Sequence, residues 1–256
     1  MRHKSVQVFI RTPSPGQVGH FWMEINTLPL AWPNASVHTQ WPGGKGSGKA
    51  GNEAFDQFMA SQVANMPDYK QALSLTTQAI GELLKKIGPA VLITHSMTGP
   101  VSWMVPQANP GMIKAIVAVE PTGNSSLRGD SGPGSPCGLT DECLRFLPPI
   151  QGAGDLGLTK VASPIAGLQN CWLQKEPARS LLELGRIPIL VAAGEASYHA
   201  QYDHCTSEFL RQAGVPNTYV NLASVGIRGN GHMQMLEQNN LQIASFYEDW
   251  LVRKLR

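Results

Sequence analysis

No run of apolar residues in this chain approaches the roughly 20 needed to cross a bilayer as a helix, so no membrane partner is expected. Charge is scarce and balanced: charged residues make up 15%, with 20 Lys+Arg against 18 Asp+Glu, a net charge of +2. Nucleic-acid binding by phosphate neutralisation needs a clustered basic face, so a nucleic-acid partner is not expected either. Only four cysteines are present (137, 143, 171 and 205), with no C-x-x-C pair and no zinc-like spacing, and no metal is expected. Taken alone, they read as free thiols of a reducing cytosol; Cys137–Cys143 and Cys171–Cys205 bridges are the alternative for an exported protein. A secretory apolar core is missing too. The stretch from Val6 to Ile10 is interrupted by Gln7 and stops at Arg11, short of the roughly 7–15 residues required. The expectation is a cytoplasmic protein without a signal peptide, and a secreted one if the N-terminus is incomplete.

What is present points to one folded domain. Hydrophobic residues reach 42%, and six Trp, seven Phe and five Tyr have to be buried somewhere. The 26 Gly and 19 Pro exceed average usages of about 7% and 5%, which makes the domain rich in loops. Unbroken apolar or β-branched runs at 90–94, 115–119, 187–193 and 218–222 read as strands covered on both faces, with 6–10 a weaker fifth. Helical patterns alternate with them. Leu73, Ile80, Leu83, Leu84 and Ile87 form one stripe that ends at Gly88, and Tyr202, Cys205, Phe209 and Leu210 form another that ends at Gly214. Leu236, Ile243, Phe246, Tyr247, Trp250 and Leu251 make a C-terminal stripe. This alternation predicts an α/β fold with a mostly parallel, doubly wound sheet and helices on both faces. Residues 121–170 break the rhythm with Gly, Pro and Ser. They read as a lid or cap inserted over the carboxyl edge of the sheet, within a single domain spanning 1–256.

The chemistry concentrates in 91–100. An apolar strand runs into His95-Ser96-Met97, then Gly99, then a helix-compatible run through Trp103 and Met104. This is the setting of a nucleophile elbow, a strained turn that lifts a serine hydroxyl above the sheet. Thr94 and Thr98 occupy the flanking positions where two small glycines are usual, so the match is partial. A serine hydroxyl is a weak nucleophile until a base takes its proton and a third group holds that base. Of seven histidines, His232 in Gly229-Asn-Gly-His232 follows the last strand run and precedes the last helix, which makes it the candidate base. His199 and His204 read as pocket lining or helix-start residues. Two carboxylates compete for the third place. Glu120 ends an apolar strand, where an unpaired charge would be costly, and Glu195 follows the strand at 187–193, with Ser197 where an Asp is usual.

The order Ser96, Glu120, His232, with His95-Ser-Met, Ala115-Ile-Val-Ala-Val-Glu-Pro121 and Gly229-Asn-Gly-His232, resembles the α/β-hydrolase superfamily. More narrowly it resembles an esterase-like group whose acid follows the strand after the elbow; His38-Thr-Gln-Trp-Pro-Gly43, Tyr198-His-Ala and Tyr202-Asp-His-Cys205 are similar to that group's texts. The resemblance covers about residues 32–256. It implies carboxyl-ester, lactone or related acyl hydrolysis without a cofactor. His95, Trp103, Tyr198 and His199 are the candidate substrate-binding residues. The Met97 N–H is one candidate oxyanion donor, and Gly16 and Gln17 supply the other.

The family's sheet carries four strands ahead of the elbow strand, whereas strand text before residue 90 is nearly exhausted by 6–10. The resemblance therefore implies an N-terminally shortened sheet. In one reading 6–10 leads into an oxyanion loop whose remnant is Gly16-Gln-Val-Gly-His-Phe-Trp22; in the other that loop is missing. Losing one oxyanion donor costs on the order of 10²–10³ in rate. An exposed sheet edge would invite homodimerisation. The same change leaves room for non-hydrolytic acyl chemistry (lactonisation or cyclisation), or for an inactive binding protein. Gly43-Gly-Lys-Gly-Ser-Gly-Lys-Ala50 imitates a nucleotide-binding loop, but Ala50 lacks the magnesium-ligating hydroxyl and no buried strand precedes it.

Overall fold

The computed structural model describes residues 5–7, 32–44, 47, 50–61, 66–124 and 132–256. Among the described residues five strands form one sheet: β1 (Ser5–Gln7), β2 (Ala90–His95), β3 (Ile113–Val119), β6 (Ile189–Ala193) and β7 (Thr218–Asn221). They lie in the order β1-β2-β3-β6-β7 and every pairing is parallel. Parallel neighbours need crossovers, and helices supply them: α2 (Tyr69–Ile87) between β1 and β2, α3 (Val101–Ala108) between β2 and β3, α4 (Asp203–Gln212) between β6 and β7. A shorter helix, α1 (Glu53–Ala60), precedes α2, and α5 (Asn240–Leu255) closes the chain.

Side-chain alternation divides the strands between two cores. Leu92, Ile116, Ala118 and Val191 face Leu73, Ile80 and Leu84 of α2, Val101, Trp103 and Val105 of α3, and Phe209 and Leu210 of α4. Val91, Ala115, Val117, Val119, Leu190 and Ala192 face the other way, onto Trp250, Phe246, Tyr247 and Leu251 of α5. Strands with both faces covered have no polar alternation to show, which is why they read as unbroken apolar runs.

A new helix, α2, starts after Asp68, which caps it by accepting from the Gln71 N–H. Leu83 leaves the expected stripe and stands 38% exposed, while Leu84 beside it is buried. The expected strand at 187–193 begins at Ile189, after Pro188, which has no N–H to give the ladder. Leu236 belongs to a single 3-10 turn at Gln234–Leu236, ahead of α5.

Between β3 and β6 the chain leaves the sheet. It contains a short antiparallel pair, β4 (Thr159–Val161) with β5 (Cys171–Leu173), and contributes Leu139, Leu144, Phe146, Leu156, Leu181 and Leu184 to the larger core. The free-thiol expectation is corrected here: Cys137 bonds Cys143, and Cys171 of β5 bonds Cys205 of α4. Spacing could not reveal the second bridge, because tertiary packing brings its two Cα atoms to 5.0 Å across a sequence separation of 34. Closing a loop of that size removes unfolded-state entropy worth about 3–4 kcal/mol in the chain-entropy treatment.

Candidate active site

Three side chains converge where β2, β3 and β6 end. Ser96 follows β2 with φ of +55° and Glu120 follows β3 with φ of +48°, both left-handed values for non-glycine residues. Such conformations cost of order 1–3 kcal/mol and persist only where the surroundings hold them. At the elbow those surroundings are specific. Thr98 Oγ donates to the His95 carbonyl and accepts from the His95 N–H, while Thr94 Oγ hydrogen-bonds Ser102 Oγ at 2.6 Å. The two threonines that weakened the sequence match are thus tied into the turn. The close approach is made instead by Gly99, where a Cβ would lie 2.6 Å from Pro121 Cβ and 2.7 Å from the Thr122 N.

Ser96 Oγ lies 2.8 Å from His232 Nε2, and His232 Nδ1 is hydrogen-bonded to Glu120 Oε2. With Nδ1–H donating to the carboxylate, Nε2 carries the lone pair that accepts the serine proton. Glu120 is fully buried and collects three further donors: the Gly194 N–H at 2.7 Å, Ser197 Oγ at 2.7 Å and Gln234 Nε2 at 3.1 Å. Ser197, standing where an Asp is usual, is therefore a donor to the acid. Glu195 does not reach His232; its carboxylate takes the Gly229 N–H at 2.8 Å and Arg228 Nη1 at 2.9 Å.

The loop that carries His232 is held from several sides. A Cβ on Gly194 would lie 2.5 Å from the Asn230 carbonyl oxygen, so the loop packs directly on the end of β6. Glu237 accepts from the Gly231 N–H and from His38 Nε2, each at 2.7 Å. His95 Nε2–H donates to the His232 carbonyl at 2.8 Å, and its side chain also accepts from the Thr98 N–H.

Burial dominates the electrostatics. It pushes the His232 pKa well below 6.5, helped by neighbouring His199, and lowers His95 to about 3. Burial raises Glu120, against the opposing effects of His199, the Gly194 N–H and Ser197. His199 lies behind His232, its ring stacked at 4.9 Å, with Nδ1 2.8 Å from Asp203 Oδ1. Burial brings His199 to about 4 and raises Asp203 well above the usual carboxylate range.

Two expected substrate-binding residues are corrected. Trp103 is fully buried in the core under α3, since its helical position faces the sheet and not the elbow. His199 is also fully buried, enclosed behind the His232 imidazole. His95 and Tyr198 do border Ser96 and His232. His204 starts α4, as one reading expected, and hydrogen-bonds Ser163 Oγ at 2.9 Å. Gly16 and Gln17 lie outside the described residues, as does the whole of the remnant oxyanion loop.

Sequence reasoning missed the cavity beside the elbow. It measures about 320 Å³ and is lined by Met97, Pro100, Tyr69, Leu73, Asp141 and Tyr202 among others. Tyr69 Oη donates to the Met97 carbonyl at 2.7 Å, anchoring the peptide beyond the nucleophile. No local motif marks Tyr69, the first residue of α2.

Two groups of metal-ligand type occur among the described residues, His95–Glu120–His232 and Cys171–His204–Cys205. In the first, His232 hydrogen-bonds Glu120 and Ser96, and His95 Nε2 is committed to the His232 carbonyl; in the second both sulfurs are spent in a disulfide. The described part of the nucleotide-loop imitation follows a turn closed by the Gly44 N–H on the Trp41 carbonyl, not a strand. Among the described residues no helix is long and apolar enough to cross a membrane.

No family model matches the chain. A protein named as a probable secreted lipase, from a fungal species (strain ATCC 74256), is 39% identical over 226 residues. That alignment takes in 87% of this chain and 61% of the relative, so the chain spans under two thirds of the curated protein it matches. Among solved structures, a bacterial esterase superposes with a TM-score of 0.51 at 23% identity, over 88% of this chain and 54% of that one. With its parallel sheet, its helices on both faces and a serine on the turn that leaves β2, the chain has the α/β-hydrolase fold.

Proposed function

We propose that this chain is a serine ester hydrolase that works through an acyl-enzyme, with Ser96 as nucleophile, His232 as base and Glu120 as the acid that orients it. The observation that carries the reading is the continuous relay from Ser96 Oγ, 2.8 Å from His232 Nε2, through His232 Nδ1 to the buried Glu120. Ser96 Oγ attacks the ester carbonyl as Nε2 takes its proton, and the Met97 N–H faces the developing oxyanion from the first turn after the nucleophile. The imidazolium then protonates the leaving alcohol. Water repeats the sequence on the acyl-enzyme, releasing the acid and freeing Ser96.

The substrate is a small, moderately apolar ester or lactone. The cavity of about 320 Å³ beside Met97 sits at the low end of the roughly 300–1,000 Å³ typical of ligand sites, which favours short acyl groups. Thr122, Gly123, Gly134, Ser135 and Asp141 bring the 121–170 insertion to its wall, the role expected of a cap. The primary test is turnover of a panel of short-chain aryl esters, together with labelling by a fluorophosphonate. An unlabelled protein that turns over no ester, beside a labelled control hydrolase, overturns the reading.

The base has a pH signature. With His232 lowered by burial, Nε2 stays free of its proton below pH 6.5, and activity survives there. The acid limb of kcat/KM against pH is expected below 6.5, and an inflection at or above that value contradicts a desolvated base.

The two disulfides, with a relative named as secreted, favour a protein that works outside the reducing cytosol. Alkylation without reductant is expected to tag none of the four cysteines. Tagging of all four would restore the cytosolic reading.

A further inference from the structure

Tyr198 stands at the meeting point of the relay without a role in it. Its hydroxyl oxygen lies 3.4 Å from His232 Nε2, the same nitrogen that lies 2.8 Å from Ser96 Oγ. We propose that Tyr198 is a fourth catalytic group, donating a hydrogen bond to the leaving-group oxygen when the tetrahedral intermediate collapses and to the attacking water in deacylation. This rests on the serine-hydrolase reading above and assigns one more atom to that site.

Position decides between the roles a phenol could play. The departing oxygen must come within hydrogen-bond reach of Nε2, because that nitrogen delivers its proton, and the acyl carbon is bonded to Ser96 Oγ at that moment. A hydroxyl that approaches Nε2 beside Ser96 Oγ borders the same space. The oxyanion needs no proton and is served by the Met97 N–H. In the collapsing step the bond from carbon to the leaving oxygen breaks, His232 gives that oxygen its proton, and Tyr198 keeps its own while donating the hydrogen bond. In deacylation the water's proton goes to Nε2 and its oxygen to the acyl carbon; the bond from that carbon to Ser96 Oγ then breaks, and Nε2 returns the proton to Oγ. Nothing further is consumed.

The surroundings hold the hydroxyl in place and keep it protonated. The Tyr198 ring meets Trp32 edge-on at 5.7 Å and lies 4.5 Å from His199 and 4.9 Å from His232. Trp32 is itself fixed, its indole N–H donating to the Ala196 carbonyl at 2.7 Å. One residue earlier, Ser197 binds Glu120, so acid and phenol are set by the same segment after β6. Burial, with Glu120 and Asp203 nearby, raises the phenol well above 10, and it remains a donor throughout the working range.

Tyr198→Phe keeps the ring contacts and removes one oxygen. A group that assists departure matters most where the leaving group is poor. Across short-chain esters of one acid, kcat/KM is expected to fall about 10²-fold for ethyl esters, the scale of one lost transition-state donor, and much less for p-nitrophenyl esters. Labelling by a fluorophosphonate, which expels fluoride, should stay near the wild-type rate and so report an intact fold and nucleophile. A loss equal across all leaving groups, no loss at all, or a matching loss of labelling overturns the role of Tyr198. Failure of the underlying reading looks different: the wild-type protein itself would be inert toward every ester and unlabelled.

Discussion

Ser96→Ala is expected to lower kcat on a short-chain p-nitrophenyl ester by about 10⁶-fold and to abolish fluorophosphonate labelling. In the proposed mechanism the oxygen removed is the one that forms the acyl bond, and neither threonine of the turn can replace it: Thr94 Oγ is engaged with Ser102, and Thr98 Oγ is tied to the His95 backbone. His232→Ala should fall by a comparable factor, because an unactivated serine is nearly as inert as none. The double variant should then be no worse than either single one, since the two groups act in one proton transfer. What survives comes from binding and from the Met97 N–H, roughly 10³–10⁴ over water in comparable systems. A Ser96→Ala protein that is folded and retains more than about a hundredth of wild-type activity places the nucleophile elsewhere.

Glu120→Gln is expected to cost about 10⁴-fold in kcat, the scale seen when a triad carboxylate becomes an amide. Glu120 accepts four hydrogen bonds, from His232, Ser197, Gly194 and Gln234. An amide must turn its NH₂ toward two of them. If it faces His232, the ring is driven to the tautomer with the proton on Nε2, which cannot receive one from Ser96. Glu195→Gln supplies the contrast, since its carboxylate serves Arg228 and the Gly229 N–H. Its loss should be far smaller. Circular dichroism on both variants separates catalysis from folding, and a larger loss for Glu195 than for Glu120 would reverse the assignment.

Much of this was legible before any coordinates. Strands β2, β3, β6 and β7 are readable because a sheet buried on both faces needs apolar residues without alternation. Glu120 is readable because a carboxylate ending such a strand has no cheap place unless it is bound. Trp103 shows the limit: proximity in sequence to a reactive turn suggested a pocket, yet the first helical turn after the elbow points its bulk into the core. The cysteines show another. Their spacing leaves free thiols and two bridges both open, and Cys171 and Cys205 meet because β5 packs on α4.

By themselves, then, the letters determined the alternation of sheet strands and helices, the turn bearing Ser96 and the candidacy of His232 and Glu120, because these depend on local periodicity, on chain order and on the cost of burying charge. Only the tertiary structure decided that Ser197 donates to Glu120, that His199 lies behind His232, that the sulfurs pair, and that the Tyr198 hydroxyl approaches His232 Nε2 beside Ser96. Those contacts join segments far apart in the chain, and no periodicity encodes which side chains meet once the loops after β2, β3, β6 and β7 gather at one edge of the sheet.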